Sequence, residues 1–214
     1  APARKIDGRR SLHEDGIVSL IMQRLKLFLP LITFAAIAIF FYTMVSRIDQ
    51  GEYNPQDLPS ALINKPFPSF SLAKLEDLTV SLQQKDLLGN ITLVNVWATW
   101  CPSCHVEHGY LNYLFSEKDM IIVGVNYKDK APAAQRWLQT KGNPYRFNIF
   151  DPDGILGLDL GVTGAPETYV LDHRGFVRFR YQGPLNEMVW QDKFQALIEQ
   201  LQQEQLAYNG RGSR

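Results

Sequence analysis

The chain has 214 residues, 45% of them apolar, and its 22 Lys and Arg balance its 22 Asp and Glu to a formal charge of zero. That length holds one full domain with room for appended segments, and the apolar share suffices for a packed core. Charge neutrality argues against a nucleic-acid partner, which would call for a basic face.

The neutrality hides an asymmetry. Residues 1–26 carry six basic side chains (Arg4, Lys5, Arg9, Arg10, Arg24, Lys26) against three acids (Asp7, Glu14, Asp15), a surplus of three that leaves the remainder at −3. Twenty uncharged residues follow between Lys26 and Arg47, LFLPLITFAAIAIFFYTMVS. As a helix they span roughly 30 Å, the hydrocarbon thickness of a bilayer. They lack the polar stripe of a soluble core helix, and Pro30 falls near the first turn, where a missing N–H is tolerated. Residues 27–46 are therefore predicted to be a transmembrane signal anchor. A cleavable signal peptide fits less well: the run exceeds an apolar region of about 7–15 residues, and Val45-Ser46-Arg47-Ile48-Asp49 is a poor cleavage site. The basic flank predicts a cytoplasmic segment over 1–26 and export of everything beyond the span. Residues 47–62, with Asp, Gly, Asn, Ser and two Pro, read as a tether lifting a domain off the bilayer.

Over residues 63–205 strand-like and helix-like patterns alternate, which predicts one α/β layered domain. Short extended pieces are expected near Phe67–Ser71 and Thr79–Leu82, then a brief helical stretch through Leu88. Ile91–Ala98 is a continuous β-type run, as in a buried central strand. A helix follows from Pro102 to about Phe115, a strand over Met120–Tyr127 and a helix over Ala131–Lys141 closed by Gly142. Phe147–Phe150 is a short strand before an Asp-Pro-Asp-Gly turn, and Glu167–Leu171 with Phe176–Tyr181 forms a hairpin. The last helix is expected from about Leu185 to Leu206, with residues 206–214 as a disordered tail.

The chain's two cysteines, Cys101 and Cys104, stand where the Ile91–Ala98 strand hands over to a helix, in the run Trp100-Cys101-Pro102-Ser103-Cys104. A helix N-terminus favours a thiolate through its positive dipole end and free N–H groups. Cys101, at an exposed first position, is the expected nucleophile, and Cys104 is placed to attack the mixed disulfide. The pair predicts a thiol-disulfide oxidoreductase. A zinc site would need further ligands; His105 and His108 offer two, but His105 directly follows Cys104 and points to another helix face, so no metal is expected. A structural disulfide over so short a loop would add little. Gly154, Gly157, Gly161 and Gly164 do not follow a strand into a helix at nucleotide-binding spacing and read as turn punctuation; Asp151 and Asp153 read as turn residues.

Four stretches together resemble the cytochrome c maturation thioredoxins, the CcmG or DsbE group of the thioredoxin superfamily. They are Leu93-Val-Asn-Val-Trp-Ala-Thr-Trp-Cys-Pro-Ser-Cys, Val123-Gly-Val-Asn-Tyr-Lys-Asp, Phe150-Asp-Pro-Asp-Gly-Ile-Leu-Gly-Leu-Asp-Leu-Gly-Val and Gly164-Ala-Pro-Glu-Thr. The resemblance covers roughly residues 60–205 and includes the amino-terminal span and tether. It implies a thioredoxin fold, a central mixed β-sheet flanked by helices, with Pro166 as a cis-proline that holds extended substrate backbone beside the cysteines. It further implies an inner-membrane, periplasm-facing reductant that keeps the CxxCH thiols of apocytochrome c reduced for haem attachment. Recharging would come from a transmembrane thiol transporter of the DsbD type, with no small cofactor. Glu107 and Glu167 are implied as an acidic pair near the dithiol; a carboxylate there raises the thiol pKa and suits a reductant. Trp100, Pro102 and Ser103 complete the expected site, with Trp100 as a shield, while Trp97 reads as core.

The chain departs from these patterns at two positions. Thioredoxins in general carry a buried Asp six residues before the first Cys, where this chain has Asn95, which cannot titrate; Thr163 stands where the resembled group often has Tyr. Two rival functions remain, a periplasmic disulfide oxidant or isomerase and a non-catalytic cytochrome c assembly module.

Overall fold

The computed structural model describes residues 28–46 and 60–212; the predicted amino-terminal segment 1–26 and nearly all of the predicted tether lie outside them. Phe28–Ser46 forms one helix, α1, long and apolar enough to cross a membrane by length and composition. Its few polar side chains bond to their own backbone: Thr33 Oγ1 donates to the carbonyls of Leu29 and Pro30, and Thr43 Oγ1 to that of Phe40, each at 2.9 Å. Such bonds occupy hydroxyls that hydrocarbon could not satisfy.

The second unit is built on a seven-stranded mixed sheet in the order β2-β1-β5-β4-β3-β6-β7. The strands are β1 Ser71–Lys74, β2 Asp77–Gln83, β3 Thr92–Trp97, β4 Ile122–Tyr127, β5 Phe147–Asp151, β6 Glu167–Leu171 and β7 Val177–Gln182. Strands β3, β4 and β5 run parallel, and β6 returns antiparallel beside β3. The α-helices are α2 Pro102–Glu117, α3 Ala131–Lys141, α4 Ile155–Leu160, α5 Glu187–Val189 and α6 Gln195–Gly212, the last two joined by a π-turn over Trp190–Phe194.

Alternation along β3 divides the core. Leu93 and Trp97 join a cluster with Leu111 and Leu114 of α2, Ala134 and Leu138 of α3, and Ile198 and Leu201 of α6. Val94 and Val96 face a second cluster with Phe67, Leu156 and Leu160. Period-two side-chain direction on a strand covered on both faces accounts for its unbroken apolar run. Both cysteines belong to the first cluster.

Several elements sit differently from the sequence pattern. The first strand begins at Ser71 rather than near Phe67, because Pro66 and Pro68 have no N–H to give a ladder; Phe67 is instead a buried core residue. Strand β4 begins at Ile122 rather than Met120, since Asp119 takes φ +52° and Met120 N–H closes on Leu114 O as the chain leaves α2. Helix α4 occupies a stretch that reads as turns. Gly154 and Gly161 adopt left-handed conformations at its two ends, and the Asp151 carboxylate accepts the N–H of Gly157 at 2.9 Å. The carboxy-terminal helix begins at Glu187, capped by Asn186, not at Leu185, whose N–H is engaged elsewhere. It then runs on through Gly212, over residues expected as a disordered tail. Just before that stretch, Gln205 Nε2 donates to Gly89 O at 3.0 Å and Glu204 pairs with Arg178 at 3.0 Å; within it, Tyr208 packs on His173.

Candidate functional site

The segment that delivers Cys101 is clamped before the helix begins. Thr99 donates its N–H and its hydroxyl to the two oxygens of Asp129, at 2.6 and 2.8 Å, and Trp100 Nε1 donates to Lys128 O at 3.0 Å. Asp129 also accepts from Asn126 Nδ2 and from Lys130 N–H. The β4–α3 connection thus fixes the turn leaving β3.

Cys101 is the N-cap of α2, with Pro102 as its first helical residue. Cys101 and Cys104 are joined in a disulfide with a Cα–Cα separation of 5.4 Å, and the Cys104 N–H donates to Cys101 Sγ at 3.1 Å. That N–H and the helix N-terminus persist on reduction, so they favour a thiolate on Cys101. The expected exposure of Cys101 does not hold in the disulfide form: each cysteine is only 2% exposed, because both side chains fold into the core cluster over α2. The exposed groups beside them are Trp100, Pro102 and Ser103.

Ala165–Pro166 is a cis peptide bond. Ala165 packs against the cluster that contains both cysteines, and Pro166 O accepts from Gly183 N–H at 2.9 Å. The loop before β6 therefore packs on the same core cluster that holds both cysteines.

Glu107 lies three residues beyond Cys104 and is wholly buried. Its Oε1 accepts from Asn95 Nδ2 at 2.9 Å and its Oε2 from Leu185 N–H at 2.8 Å. Burial pushes its carboxyl up to about 7, against the opposing pull of these two donors. Asn95, mute as an acid, is thus a donor to the acid that is there. It also donates to Thr168 Oγ1 at 3.1 Å and accepts from Tyr145 Oη at 2.9 Å.

This geometry gives a pH-dependent stability. The proton is held more tightly in the folded chain, so the contribution is full below the ordinary value of 4.5 and is lost as pH rises through about 7. The full span corresponds to roughly 3 kcal/mol. Glu107→Gln should flatten the decline, because the variant has no carboxyl to ionise, at the cost of setting its amide NH2 against one of the two N–H donors. Urea midpoints of both chains at about pH 5 and about pH 8 check this.

Glu167 is buried too, but in a different setting. Arg180 meets its Oε2 through Nη2 at 2.8 Å and Nε at 3.0 Å. Tyr169 Oη donates to the same oxygen at 2.9 Å, while Oε1 takes Thr163 N–H, Thr163 Oγ1, Gly164 N–H and Gln182 Nε2. The charge is matched by Arg180 and the oxygens hold the loop around the cis-proline. The two implied acids thus sit in different settings: Glu167 is an ion-paired loop anchor, and Glu107 a buried acid of raised affinity for its proton. Thr163, at the position of the second departure, is part of this anchor and also accepts from Gln182 Nε2 at 2.8 Å.

Trp97 is core, stacked between Trp137 and Tyr145, with Nε1 donating to Asn148 Oδ1. His105 and His108 pack on Trp137 and turn Nε2 to Thr99 O and Gly142 O, each at 3.0 Å. Burial lowers the His108 pKa. Among the described residues no group of three His, Cys, Asp or Glu side chains is gathered for a metal ion. The functions of Asn95, Tyr145, Asp129 and Arg180 were not apparent in the sequence. Only Asn95 carries a signal there, as the single polar residue inside the apolar run Leu93–Ala98.

A family model described as Redoxin matches residues 62–197. The thiol:disulfide interchange protein DsbE of Pseudomonas aeruginosa is 46% identical over 181 residues, covering 84% of this chain and 96% of that protein. Its namesake from Escherichia coli is 46% identical over 185 residues, covering 86% and 98%. Among solved structures, a secreted thiol-disulfide isomerase from Corynebacterium glutamicum matches with a TM-score of 0.57 at 20% identity, covering 69% of this chain and 96% of that one. A DsbF homologue from Corynebacterium diphtheriae matches with a TM-score of 0.52 at 21% identity, covering 65% and 94%. At those identities the structural likeness is one of fold.

Proposed function

Because the chain belongs to the Redoxin family, and within it to the DsbE thiol:disulfide interchange proteins, we propose that this thiol-disulfide oxidoreductase is a membrane-anchored periplasmic reductant serving cytochrome c maturation. Helix α1 anchors it, residues 1–26 stay in the cytoplasm, and the redox domain faces the periplasm on the tether over 47–62. The observation that carries the reductive reading is the pairing of the Cys101–Cys104 disulfide at the α2 N-terminus with a buried carboxyl that titrates near neutrality.

In the dithiol form, the Cys101 thiolate attacks a disulfide of the apocytochrome CxxCH segment, forming a mixed disulfide and releasing one substrate thiolate. Cys104 then gives up its proton, attacks Cys101 Sγ and releases the second thiolate. Two electrons have passed to the substrate, and the chain is left in the disulfide form. Glu107, one turn beyond Cys104, is the group positioned to take the Cys104 proton and pass it outward. Pro166 holds the substrate strand, Glu167 keeps that loop in shape, and Trp100, Pro102 and Ser103 border the approach. A transmembrane thiol transporter of the DsbD type returns the electrons as thiols, so no small cofactor is required.

The test is the equilibrium reduction potential of the detergent-solubilised full chain. A value nearer the about −270 mV of thioredoxin than the about −120 mV of DsbA is expected. A value near the latter would make the chain an oxidant and end the reductive assignment.

A further inference from the structure

We infer that Tyr145 is a positioning residue of the redox site, its phenol holding the Asn95 carboxamide in the one orientation that serves Glu107. The inference rests on the role given above to Glu107 and adds a second layer to it.

Tyr145 stands between α3 and β5, buried, with its ring stacked on Trp97 at 5.6 Å between centroids and 11° between planes. Its N–H is tied to Asn143 Oδ1 at 3.1 Å. Ring and backbone are thus both fixed, and the hydroxyl is aimed at Asn95 Oδ1 at 2.9 Å. Burial and the nearby Glu107 carboxyl push the Tyr145 pKa well above its ordinary value, so the phenol keeps its proton and donates it.

A carboxamide has one accepting and one donating end, and exchanging the two changes its shape very little. With Oδ1 fixed on Tyr145, Nδ2 faces Glu107 Oε1 at 2.9 Å and Thr168 Oγ1 at 3.1 Å. An ionised Glu107 accepts only, so it requires that orientation. A protonated Glu107 can donate and tolerates the reverse. Thr168 tolerates both, since a hydroxyl donates and accepts. The Tyr145 hydroxyl therefore favours the ionised carboxyl over the protonated one, and the chain O–H···O=C–N–H···carboxylate polarises along its length. Facing Glu107 are Asn95 from β3, the Leu185 N–H from the segment before α5, Tyr145 through Asn95, and Cys104 one turn back on α2. Its helix neighbour His108 turns away to Trp137 and Gly142.

The experiment uses the reduced full chain in detergent and follows its reaction with 5,5′-dithiobis(2-nitrobenzoate) across pH. The Glu107 inflection is defined as the one that Glu107→Gln abolishes. In Tyr145→Phe, which keeps the stack on Trp97, that inflection should move upward by about half to one pH unit. A residue that only fills space would lower the melting temperature and leave the inflection in place; that result overturns the inference while the Glu107 reading stands. If Glu107→Gln leaves the profile unchanged, the Glu107 reading itself fails and takes the inference with it. A second measurement needs no variant. With tyrosine Cζ labelled by carbon-13, the Tyr145 resonance of the native chain should titrate with the Glu107 midpoint, and a flat resonance overturns the proposal.

Discussion

Cys101→Ser should fold and yet lose disulfide reductase turnover by roughly a thousandfold or more, as enzymes do when the attacking nucleophile is removed. The disulfide closes a loop between residues only three apart. Its loss should therefore change stability by about 2 kcal/mol at most, and unfolding cannot be the cause of inactivity. Cys104→Ser should differ in kind. Cys101 still attacks, but no second thiolate stands ready in the same helix turn, so the chain accumulates as a mixed disulfide that runs as a heavier band on non-reducing gels. In cells, the Cys101→Ser chain should yield no holocytochrome c. If it did support haem attachment, the chain would be a binding module and not a catalyst.

Arg180→Met should be among the most destabilising single changes available, by about 3–5 kcal/mol, because it leaves the Glu167 charge buried without its cation. Glu167 is 1% exposed, and Arg180 gives it two contacts while a further bond from Nη2 reaches Gly161 O at 2.7 Å. Adding Glu167→Gln to Arg180→Met removes the stranded charge and should restore part of the loss, which urea unfolding of the single and double variants would show. The same carboxylate collects Thr163 and Gly164 N–H groups from the loop leading to Pro166. Substrate affinity should thus fall along with stability in the single variant, although no catalytic atom has been touched.

What could be read beforehand and what could not divide along sequence distance. Strand β3, helix α2 and the cysteine pair are local signals: an apolar run, a proline at a helix start, two thiols one turn apart. The state of Glu107 is not local. Its burial and both of its donors depend on Leu185, 78 residues away, and on Asn95 across the β3–α2 turn, so a residue that looks like an ordinary solvated helix glutamate becomes a buried acid. The different settings of Glu107 and Glu167, implied together as acids near the dithiol, have the same origin. Arg180, thirteen residues on and across the hairpin, claims Glu167 first. Helix α4 was hidden because its glycines, read as turn residues, are in fact its two ends and a close contact. A Cβ on Gly157 would lie 2.3 Å from the Tyr127 ring. The end of α6 was hidden because its Asn, Gly and Arg residues read as a tail, while the ring contact of Tyr208 with His173, 35 residues back in the chain, is not visible locally.

In the disulfide form each cysteine is only 2% exposed, whereas Trp100, Pro102 and Ser103 beside them are open to solvent. Whatever approaches the bond meets those three side chains before it meets sulfur. The reactive bond is therefore guarded by shape as well as by chemistry.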